Sequence, residues 1–393
     1  MKINLIDNRL VISPEGRLDS NNAPAAEEEI MKAVAEHAGC EICFDMGALE
    51  YISSAGLRVI MKVRKKSGKP VDAVNVSRDV YDIFEMTGFT EMLRVQKAYR
   101  KVKVDGLEMI GSGFFGTVYR LDKETIIKVY KGKDSIPMIK NEKKMAQKAF
   151  LAGIPTAISY DIVQVGEDYG SIFELLDSET FHDMVAKEEQ PIEQIVAKYA
   201  DLLKLVHHTE MEKGEFPSYK ERFLDHLELI KKHLTEEQYT GLKGLFSAMP
   251  DENTVVHGDI QMKNVMSCGD EPMLIDMDTI GLGNPVFDFA GLYVTYQAFE
   301  EDDPGNSMAF LGISQEKTDL LWKLITETYF AFENEEERQR ILARIRLVAA
   351  VRFLYILETT DLKNSELGRI RIARTGEHID ELLPVVDRLA IEG

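Results

Sequence analysis

The sequence has few cysteines, and those it has form no convincing site. It contains three cysteines in 393 residues, an odd and sparse count that argues against a disulfide framework. Cys40 and Cys43 are spaced as Cys-x-x-Cys, but they fall in an apolar segment typical of a strand. Residues three apart on a strand point to opposite faces. We therefore interpret them as isolated reduced thiols, not as a metal or redox site.

Long apolar runs and positive charge are also scarce. No run reaches the ~18 residues that a membrane-spanning helix needs, and Asp7 interrupts the N-terminal segment, unlike a signal peptide. The chain has 47 Lys and Arg against 67 Asp and Glu, a net charge of −20. Such a chain repels nucleic-acid backbones and anionic lipid, and no basic patch with interleaved aromatics offsets this. We expect a cytoplasmic protein with no nucleic-acid or membrane partner.

The chain length predicts more than one domain, since ~150 residues per domain gives two or three. Over residues 1–102, strands alternate with helical stretches, which indicates a mixed sheet covered by helices. The predicted strands are 2–6, 9–13, 41–46, 70–76 and 92–97, and the predicted helices are 24–37, 55–65 and 79–87. The junction lacks a Gly, Ser or Pro-rich run, so we expect a short, stiff connection to a second domain over 103–393.

One loop of the first domain leads from a strand into a helix and carries two adjacent serines, Ser53 and Ser54. A serine at such a position can cap free backbone N–H groups. The same N–H groups and the helix dipole would also stabilise a phosphate on that serine. On position alone, a plain helix cap is the simpler interpretation.

The first domain resembles the STAS domain of anti-sigma-factor antagonists. The resemblance rests on Gly-Arg-Leu-Asp at 16–19, on Asp45, on the segment 51–57 and on Val-Tyr-Asp-Ile-Phe-Glu-Met-Thr-Gly-Phe at 80–89. It implies a small α/β switch domain with a protein partner. It also implies that Ser54 is the phosphorylation site, because the second serine of such a pair is the switch in that family. The residue before the switch is often Asp there and is Ser53 here.

A glycine-rich segment begins the chemistry of the second domain. Gly111, Ser112, Gly113 and Gly116 fit a G-x-G-x-x-G pattern followed by a strand. Glycines permit positive φ and let backbone N–H groups approach phosphate oxygens, although the pattern alone also fits a plain hairpin. We predict that these residues bind the phosphates of a nucleotide.

A lysine and a glutamate follow the glycine-rich segment. Lys128 lies inside an apolar strand, where an unpaired ammonium is costly, and it suits contact with nucleotide phosphates. Glu142 on the next helical stretch is the predicted partner, with a solvated helix face as the alternative. Residues 171–177 indicate an apolar strand that ends in a loop between two lobes, 103–176 and 177–393. Backbone groups around Glu174 and Leu176 could bind adenine there.

The strongest pattern is His-Gly-Asp-x-x-x-x-Asn at 257–264, between apolar segments, with Asp276 twelve residues after Asn264. Transfer of a γ-phosphoryl group needs a carboxylate near the acceptor hydroxyl and oxygen ligands for Mg²⁺. Asp259 fits the first role, and Asn264 and Asp276 fit the second. Acidic turns between strands would not explain this spacing.

From about residue 105 to at least 295, the chain resembles the protein-kinase-like fold in its small-molecule branch, the aminoglycoside and choline phosphotransferases. The resemblance is carried by the motif at 257–264 and implies a two-lobed α+β fold, with a β-rich N-lobe and a helical C-lobe. It implies ATP and Mg²⁺ as cofactors and a small-molecule hydroxyl acceptor such as an amino sugar or amino alcohol. Only 11 residues separate Asp276 from Asp288, which leaves little room for the activation segment of protein kinases. Asp288 has an architectural role in this resemblance.

Two other functions stay open. The chain could be a serine-directed protein kinase that acts on STAS domains, including its own Ser54. It could also be a nucleotide-binding signalling scaffold without catalysis, although loss of Lys128 or Asp259 would be expected in that case. An acidic run at 300–303 could receive a cationic acceptor, with a solvated loop as the simpler interpretation. His207 ends an apolar helical stripe and is expected to pack or cap, not to catalyse.

Overall fold

The computed structural model describes residues 1–112, 116–176, 178–188, 190–269 and 271–392. The chain divides into two compact units, Met1–Lys103 and Val104–Gly393. Among the described residues, no helix is both long and apolar enough to cross a membrane.

The first unit is an α/β unit. Its strands are β1 Lys2–Ile6, β2 Arg9–Ser13, β3 Glu15–Leu18, β4 Glu41–Asp45, β5 Ala48–Ile52, β6 Val71–Val76, β7 Arg94–Lys97 and β8 Arg100–Lys101, and its helices are α1 Ala23–Glu36, α2 Ser54–Ser67, α3 Arg78–Met86 and α4 Phe89–Met92. The main sheet has the order β1-β2-β4-β6-β7. Strands β1 and β2 are antiparallel, whereas the later neighbours are parallel.

The predicted strands and helices of this unit are confirmed to within about two residues. The sequence patterns missed the parallel pair β3–β5 and the single turn α4. Cys43 is buried in the core strand β4, and Cys40 lies near the Asn8 side chain. Both thiols are free.

The second unit begins with an antiparallel sheet. Its strands are β9 Met109–Ser112, β10 Thr117–Arg120, β11 Thr125–Tyr130, β12 Ser159–Val165 and β13 Asp168–Glu174, paired in the order β9-β10-β11-β13-β12. Helix α5, Ile136–Leu151, packs on this sheet through buried residues such as Ile139 and Met145. Glu142 points the same way as these apolar residues, because positions three or four apart share a helix face.

The rest of the second unit is mainly helical. Its helices are α6 Phe181–Lys187, α7 Ile192–His208, α8 Tyr219–Ile230, α9 Glu236–Ala248, α10 Val286–Tyr293, α11 Phe299–Glu301, α12 Gln315–Phe330, α13 Glu335–Thr359 and α14 Glu366–Leu382. Two short antiparallel pairs join them, β14 Val255–Val256 with β17 Gly281–Leu282, and β15 Val265–Cys268 with β16 Glu271–Leu274. These strands flank the segments 257–264 and 275–280. The polar residues of both motifs therefore come directly after the ends of short strands.

Candidate active site

Lys128 on β11 lies between two carboxylates. Its Nζ is 3.0 Å from Glu142 Oε1 and 2.6 Å from Asp276 Oδ1. Glu142 is buried, and its other oxygen accepts a hydrogen bond from the Tyr130 hydroxyl. The structure thus brings the two predicted partners together, and Glu142 does not lie on a solvated helix face.

The charge of this lysine is secured by its neighbours. Burial alone would lower the pKa of Lys128, but the carboxylates of Glu142 and Asp276 outweigh burial and raise that pKa above its ordinary value. Burying an ammonium costs less free energy when a carboxylate pairs with it than when it is unpaired. Lys128 is therefore a fixed positive charge in this site.

Asp276 has an unusual backbone conformation. Its φ is 65° and its ψ is 59°, in the left-handed region, which costs a non-glycine residue about 1 kcal/mol or more. This conformation follows directly on Ile275, whose backbone N–H donates to the Asn264 carbonyl at 3.0 Å. The strained turn places the Asp276 carboxylate against Lys128.

Amide groups hold the carboxylate of Asp259. Asn264 Nδ2 donates to Asp259 Oδ2 at 2.9 Å and to the Asp259 carbonyl at 2.8 Å. Gln261 Nε2 lies 3.2 Å from both carboxylate oxygens. Because Asn264 uses its amide nitrogen on Asp259, its amide oxygen is left to accept from or coordinate another group.

Asp288 holds the backbone of the same loop. This carboxylate is buried and accepts hydrogen bonds from the backbone N–H groups of His257 at 2.9 Å and Gly258 at 2.6 Å. His207 Nε2 lies 3.0 Å from Asp288 Oδ2, and His207 Nδ1 lies 2.8 Å from the Tyr329 hydroxyl. His207 thus has the packing role expected for it, and it orients the acid that holds the loop.

Gly258 allows the loop to pass close to α8. Its φ is 85°, and a Cβ added there would overlap the hydroxyl of Tyr219. That hydroxyl donates to the Thr279 carbonyl at 2.7 Å, and Thr279 Oγ1 donates to the His257 carbonyl at 2.8 Å. Only a residue without a side chain fits here.

The glycine-rich segment is described only in part. Gly111 and Ser112 lie in β9, and Gly116 precedes β10, whereas Gly113 lies outside the described residues. Gly111 does not have a positive φ. Gly116 allows a close approach of two strands, since an added Cβ would lie 2.5 Å from the Val129 carbonyl oxygen.

Polar groups at the end of β13 form hydrogen bonds with other residues of the chain. The Glu174 carboxylate accepts a hydrogen bond from the Ile158 N–H at 2.8 Å, and the Leu176 carbonyl accepts one from the Ser178 N–H at 2.9 Å. The side chain of Glu174 therefore fastens this strand end, and any adenine contact here falls to backbone groups.

Asp278 is a site residue that the sequence patterns do not single out. Burial, followed by the neighbouring carboxylates of Asp276 and Glu142, raises the pKa of Asp278 to about 7. The negative charge of Asp259 adds to this rise, whereas Lys128 opposes it. The only available signal was an acid two residues beyond Asp276 on a segment that follows a buried strand.

The acidic run at 300–303 is neither a solvated loop nor a set of free carboxylates. The buried Glu300 accepts hydrogen bonds from the backbone N–H groups of Gly305 and Ser307. The other three acids face donors within 4 Å, namely Glu301 with Tyr293 and His378, Asp302 with Arg374, and Asp303 with Arg371. The buried Glu300 contradicts the solvated-loop interpretation, whereas a cationic acceptor at this run stays a prediction. The pairing groups on α14 are about 70 residues away in the chain, so the sequence pattern does not reveal them.

In the first unit, Ser54 is the first residue of α2 and is exposed. The cap itself is Ser53, whose side chain accepts from the Ala55 N–H at 3.2 Å. Gly56 of the same helix lies close to the backbone of Leu18, since an added Cβ would lie 2.6 Å from the Leu18 carbonyl oxygen. The capping role therefore belongs to Ser53, and the Ser54 hydroxyl faces outward at a helix N-terminus.

Comparisons with known proteins find two families along the chain. The phosphotransferase enzyme family (APH) matches residues 106–312, and the STAS domain family matches residues 1–103. A protein named as an anti-sigma factor antagonist, BtrV of Bordetella bronchiseptica, is 34% identical over 94 residues, which cover 23% of this chain and 79% of BtrV.

Solved structures with a similar arrangement include the ADP-bound aminoglycoside phosphotransferase APH(2'')-Ib, with a TM-score of 0.46 and 15% identity over 79% of this chain and 99% of that one. A protein described as a fructosamine-3-kinase from Haemophilus somnus has a TM-score of 0.45 and 12% identity over 77% of this chain and 95% of that one. At these values the likeness says nothing about the substrate of this chain.

Proposed function

We propose that this chain, which belongs to the phosphotransferase enzyme family and carries a STAS domain at residues 1–103, transfers the γ-phosphoryl group of ATP to a hydroxyl of a small molecule, with Mg²⁺ as the metal. The observation that carries the proposal is one shared site for a fixed cation, an amide-held carboxylate and two oxygen donors. These groups are Lys128, Asp259, Asn264 and Asp276.

Lys128 supplies the positive charge that the nucleotide phosphates need. Phosphoryl transfer involves little covalent chemistry for the protein, so positioning and charge stabilisation dominate. Lys128 donates to Glu142, and this hydrogen bond holds the ammonium in place. When phosphates bind, Lys128 can exchange its contact with Asp276 for phosphate oxygens, which frees that carboxylate.

The freed groups match what Mg²⁺ prefers. Mg²⁺ takes oxygen ligands and is usually bound through one or two carboxylates together with substrate phosphates and water. Asn264 Oδ1 and the Asp276 carboxylate would hold it. The described residues contain no cluster of three or more His, Cys, Asp and Glu suited to a metal, so phosphates and water would complete the ligand set. The ion would neutralise charge that develops on the phosphoryl oxygens.

Asp259 acts on the acceptor hydroxyl. An alcohol is a poor nucleophile at neutral pH, so a carboxylate within hydrogen-bond reach orients it and accepts its proton as transfer proceeds. The amides of Asn264 and Gln261 hold the carboxylate in one orientation. The buried Asp288 fixes the loop that carries it.

The STAS unit adds a switch in this proposal. Ser54 is the phosphoacceptor, and phosphorylation there would change contact with a protein partner. An exposed hydroxyl on the first residue of α2 supports this, because free N–H groups and the helix dipole favour an anion at that position. Phosphopeptide mapping of protein from native cells should find Ser54 modified. A peptide that is never modified would remove the switch and leave the phosphotransferase.

The test of the main proposal compares two variants with γ-labelled ATP and a panel of small hydroxyl acceptors. Asp259→Asn should lower turnover by ~10²–10⁴-fold, the range for losing a positioned base, with little change in Mg-ATP affinity. Asp276→Asn should lower both turnover and Mg-ATP affinity, because it alters the proposed metal site. The exposed Asp361→Asn is the matched control. Near-normal turnover of Asp259→Asn, or label only on the protein itself, would refute the small-molecule mechanism.

A further inference from the structure

A half-buried group of cationic and aromatic side chains lies between α8 and α13. His226 on α8 stacks on Tyr355 of α13, with ring centroids 3.6 Å apart and planes 17° apart. On the same two helices, Arg222 and Arg352 are also half-buried. The Arg352 guanidinium lies against α10 at Gly291, where an added Cβ would be 3.2 Å from Cζ.

Among the described residues, neither of these arginines has a carboxylate counter-ion. Within the part of the chain that the structure describes, no carboxylate oxygen lies within 4.0 Å of Arg222 or Arg352. By contrast, Arg344 on the same α13 is 3.2 Å from Asp387, and Arg374 on α14 is 3.1 Å from Asp302. In a chain with 20 more acidic than basic residues, two partly desolvated guanidinium groups without a carboxylate indicate a place for an external anion.

The His226 imidazole adds a buried polar atom to this group. His226 Nδ1 is buried and has no hydrogen-bond partner among the described residues. Burial, and then the charges of Arg222 and Arg352, lower the pKa of His226 to about 4. The ring is therefore neutral at physiological pH, and the two arginines carry the positive charge.

The group lies close to the proposed base. The Arg222 guanidinium covers the ring of Tyr219, 4.3 Å from its centroid, and Arg222 Nη1 donates to the Thr279 carbonyl at 2.8 Å. The hydroxyl of the same Tyr219 donates to that carbonyl and contacts Gly258, the residue before Asp259. One aromatic ring thus separates Arg222 from the loop that carries Asp259.

We propose that Arg222, His226 and Arg352 bind an anionic group, a carboxylate or a phosphate, on the small-molecule acceptor. This inference rests on the proposed function and narrows its acceptor class. A guanidinium presents paired donors that match the oxygens of either anion. The alternative acceptor site, for a cation at the acidic run 300–303, has less support, since these acids already contact donors of the chain.

The first experiment measures acceptor choice with the full chain, γ-labelled ATP and Mg²⁺. Glycerate and glycerol phosphate carry a hydroxyl and an anion, whereas glycerol, ethanolamine and glucosamine are matched neutral or cationic hydroxyl compounds. We expect label on at least one anionic compound and preference for it over its uncharged relative. Preferential labelling of the neutral or cationic compounds would overturn the inference and leave the proposed function intact.

The second experiment measures anion binding without turnover. Inorganic phosphate and acetate are titrated by calorimetry into the full chain with saturating ADP and Mg²⁺. Arg352→Gln should weaken binding by about tenfold or more, the loss expected for charge-assisted hydrogen bonds. Arg352→Lys should retain part of it. Arg340→Gln, an exposed charge change on the same helix, should match the wild type. Tighter binding of phosphate or of acetate identifies which anion the site takes.

The outcomes separate the two proposals. Anion binding that depends on Arg352, in a protein that transfers no phosphoryl group, would support the site and refute the function. Turnover in a protein that binds neither anion would refute the anion site and leave the proposed function intact. Equal effects of Arg352→Gln and Arg340→Gln would also overturn it. If Arg352→Gln fails to fold, the comparison of Arg352→Lys with the wild type decides the question.

Discussion

The buried carboxylate of Asp288 allows a quantitative test of how the catalytic loop is held. Asp288→Asn keeps the size of the side chain but replaces one oxygen by an NH₂ group. In the structure Oδ1 accepts from Gly258, and Oδ2 accepts from His257 and faces His207 Nε2. An asparagine amide can accept on one side only, so at least one buried donor loses its partner and meets another donor.

The size of the effect follows from these contacts. A buried donor left without a partner costs about 1–3 kcal/mol, and bonds to a charged group contribute about 1.5–3 kcal/mol. We expect Asp288→Asn to lower the free energy of unfolding of the second unit by about 2–5 kcal/mol. That is a large share of the ~5–15 kcal/mol typical of a domain, but the protein should still fold. Turnover should fall as well, because the loop carrying Asp259 loses its anchor.

The unfolding of the second unit can be followed separately from that of the first. Trp322 on α12 is the single tryptophan of the chain, so its fluorescence during urea unfolding follows that unit alone. This avoids the overlap of transitions expected in a chain with two units. Asp361→Asn serves as the exposed control. A loss below about 0.5 kcal/mol for Asp288→Asn, similar to the control, would refute the proposed anchoring.

The same variant has a definite pH dependence. Burial would raise the pKa of Asp288, but the hydrogen bond and charge of His207, together with the His257 N–H, lower it below the ordinary value. A carboxyl with a lowered pKa in the folded state contributes stability above the unfolded pKa of ~3.9 and loses it as pH falls through the folded value. The stability difference between wild type and variant should stay constant from about pH 6 to 8 and shrink below about pH 4.

Three further predictions follow from single contacts. Gly258→Ala should destabilise the second unit by about 3 kcal/mol or more in urea unfolding, because its Cβ overlaps Tyr219 and its φ is positive; Gly166→Ala, with positive φ and open space, should cost only about 1 kcal/mol. Glu142→Gln should lower the pKa of the active-site lysine and weaken Mg-ATP binding by about tenfold in calorimetry; unchanged affinity would contradict the pairing. Asp302→Asn should cost about 1 kcal/mol of stability and leave KM for every acceptor unchanged, whereas a raised KM would return the acidic run to the acceptor site.

Much of the site could be predicted from the sequence where one residue demands another. An ammonium inside the apolar strand β11 requires a carboxylate, and the next helix offers Glu142 on its buried face. The spacing of Asp259 and Asn264 likewise places both side chains on one loop, where they bond to each other. Local chemistry of this kind needs little knowledge of tertiary packing.

The remaining features depend on distant packing. The stack of His226 on Tyr355 joins residues 129 positions apart, and no period or spacing marks it. The acids at 300–303 looked solvated because their partners on α14 come much later in the chain. The pair β3–β5 was missed because both strands are short and parallel pairing leaves no hairpin turn in the sequence.

The left-handed backbone of Asp276 has a consequence for protein engineering. A glycine would adopt φ 65° without steric cost, so Asp276→Gly would relieve about 1 kcal/mol or more of backbone strain. The same change would remove the ion pair with Lys128, which opposes that gain. Any directed evolution of this chain for thermal tolerance has to be scored on turnover as well, because in the proposed mechanism the carboxylate at position 276 holds Mg²⁺.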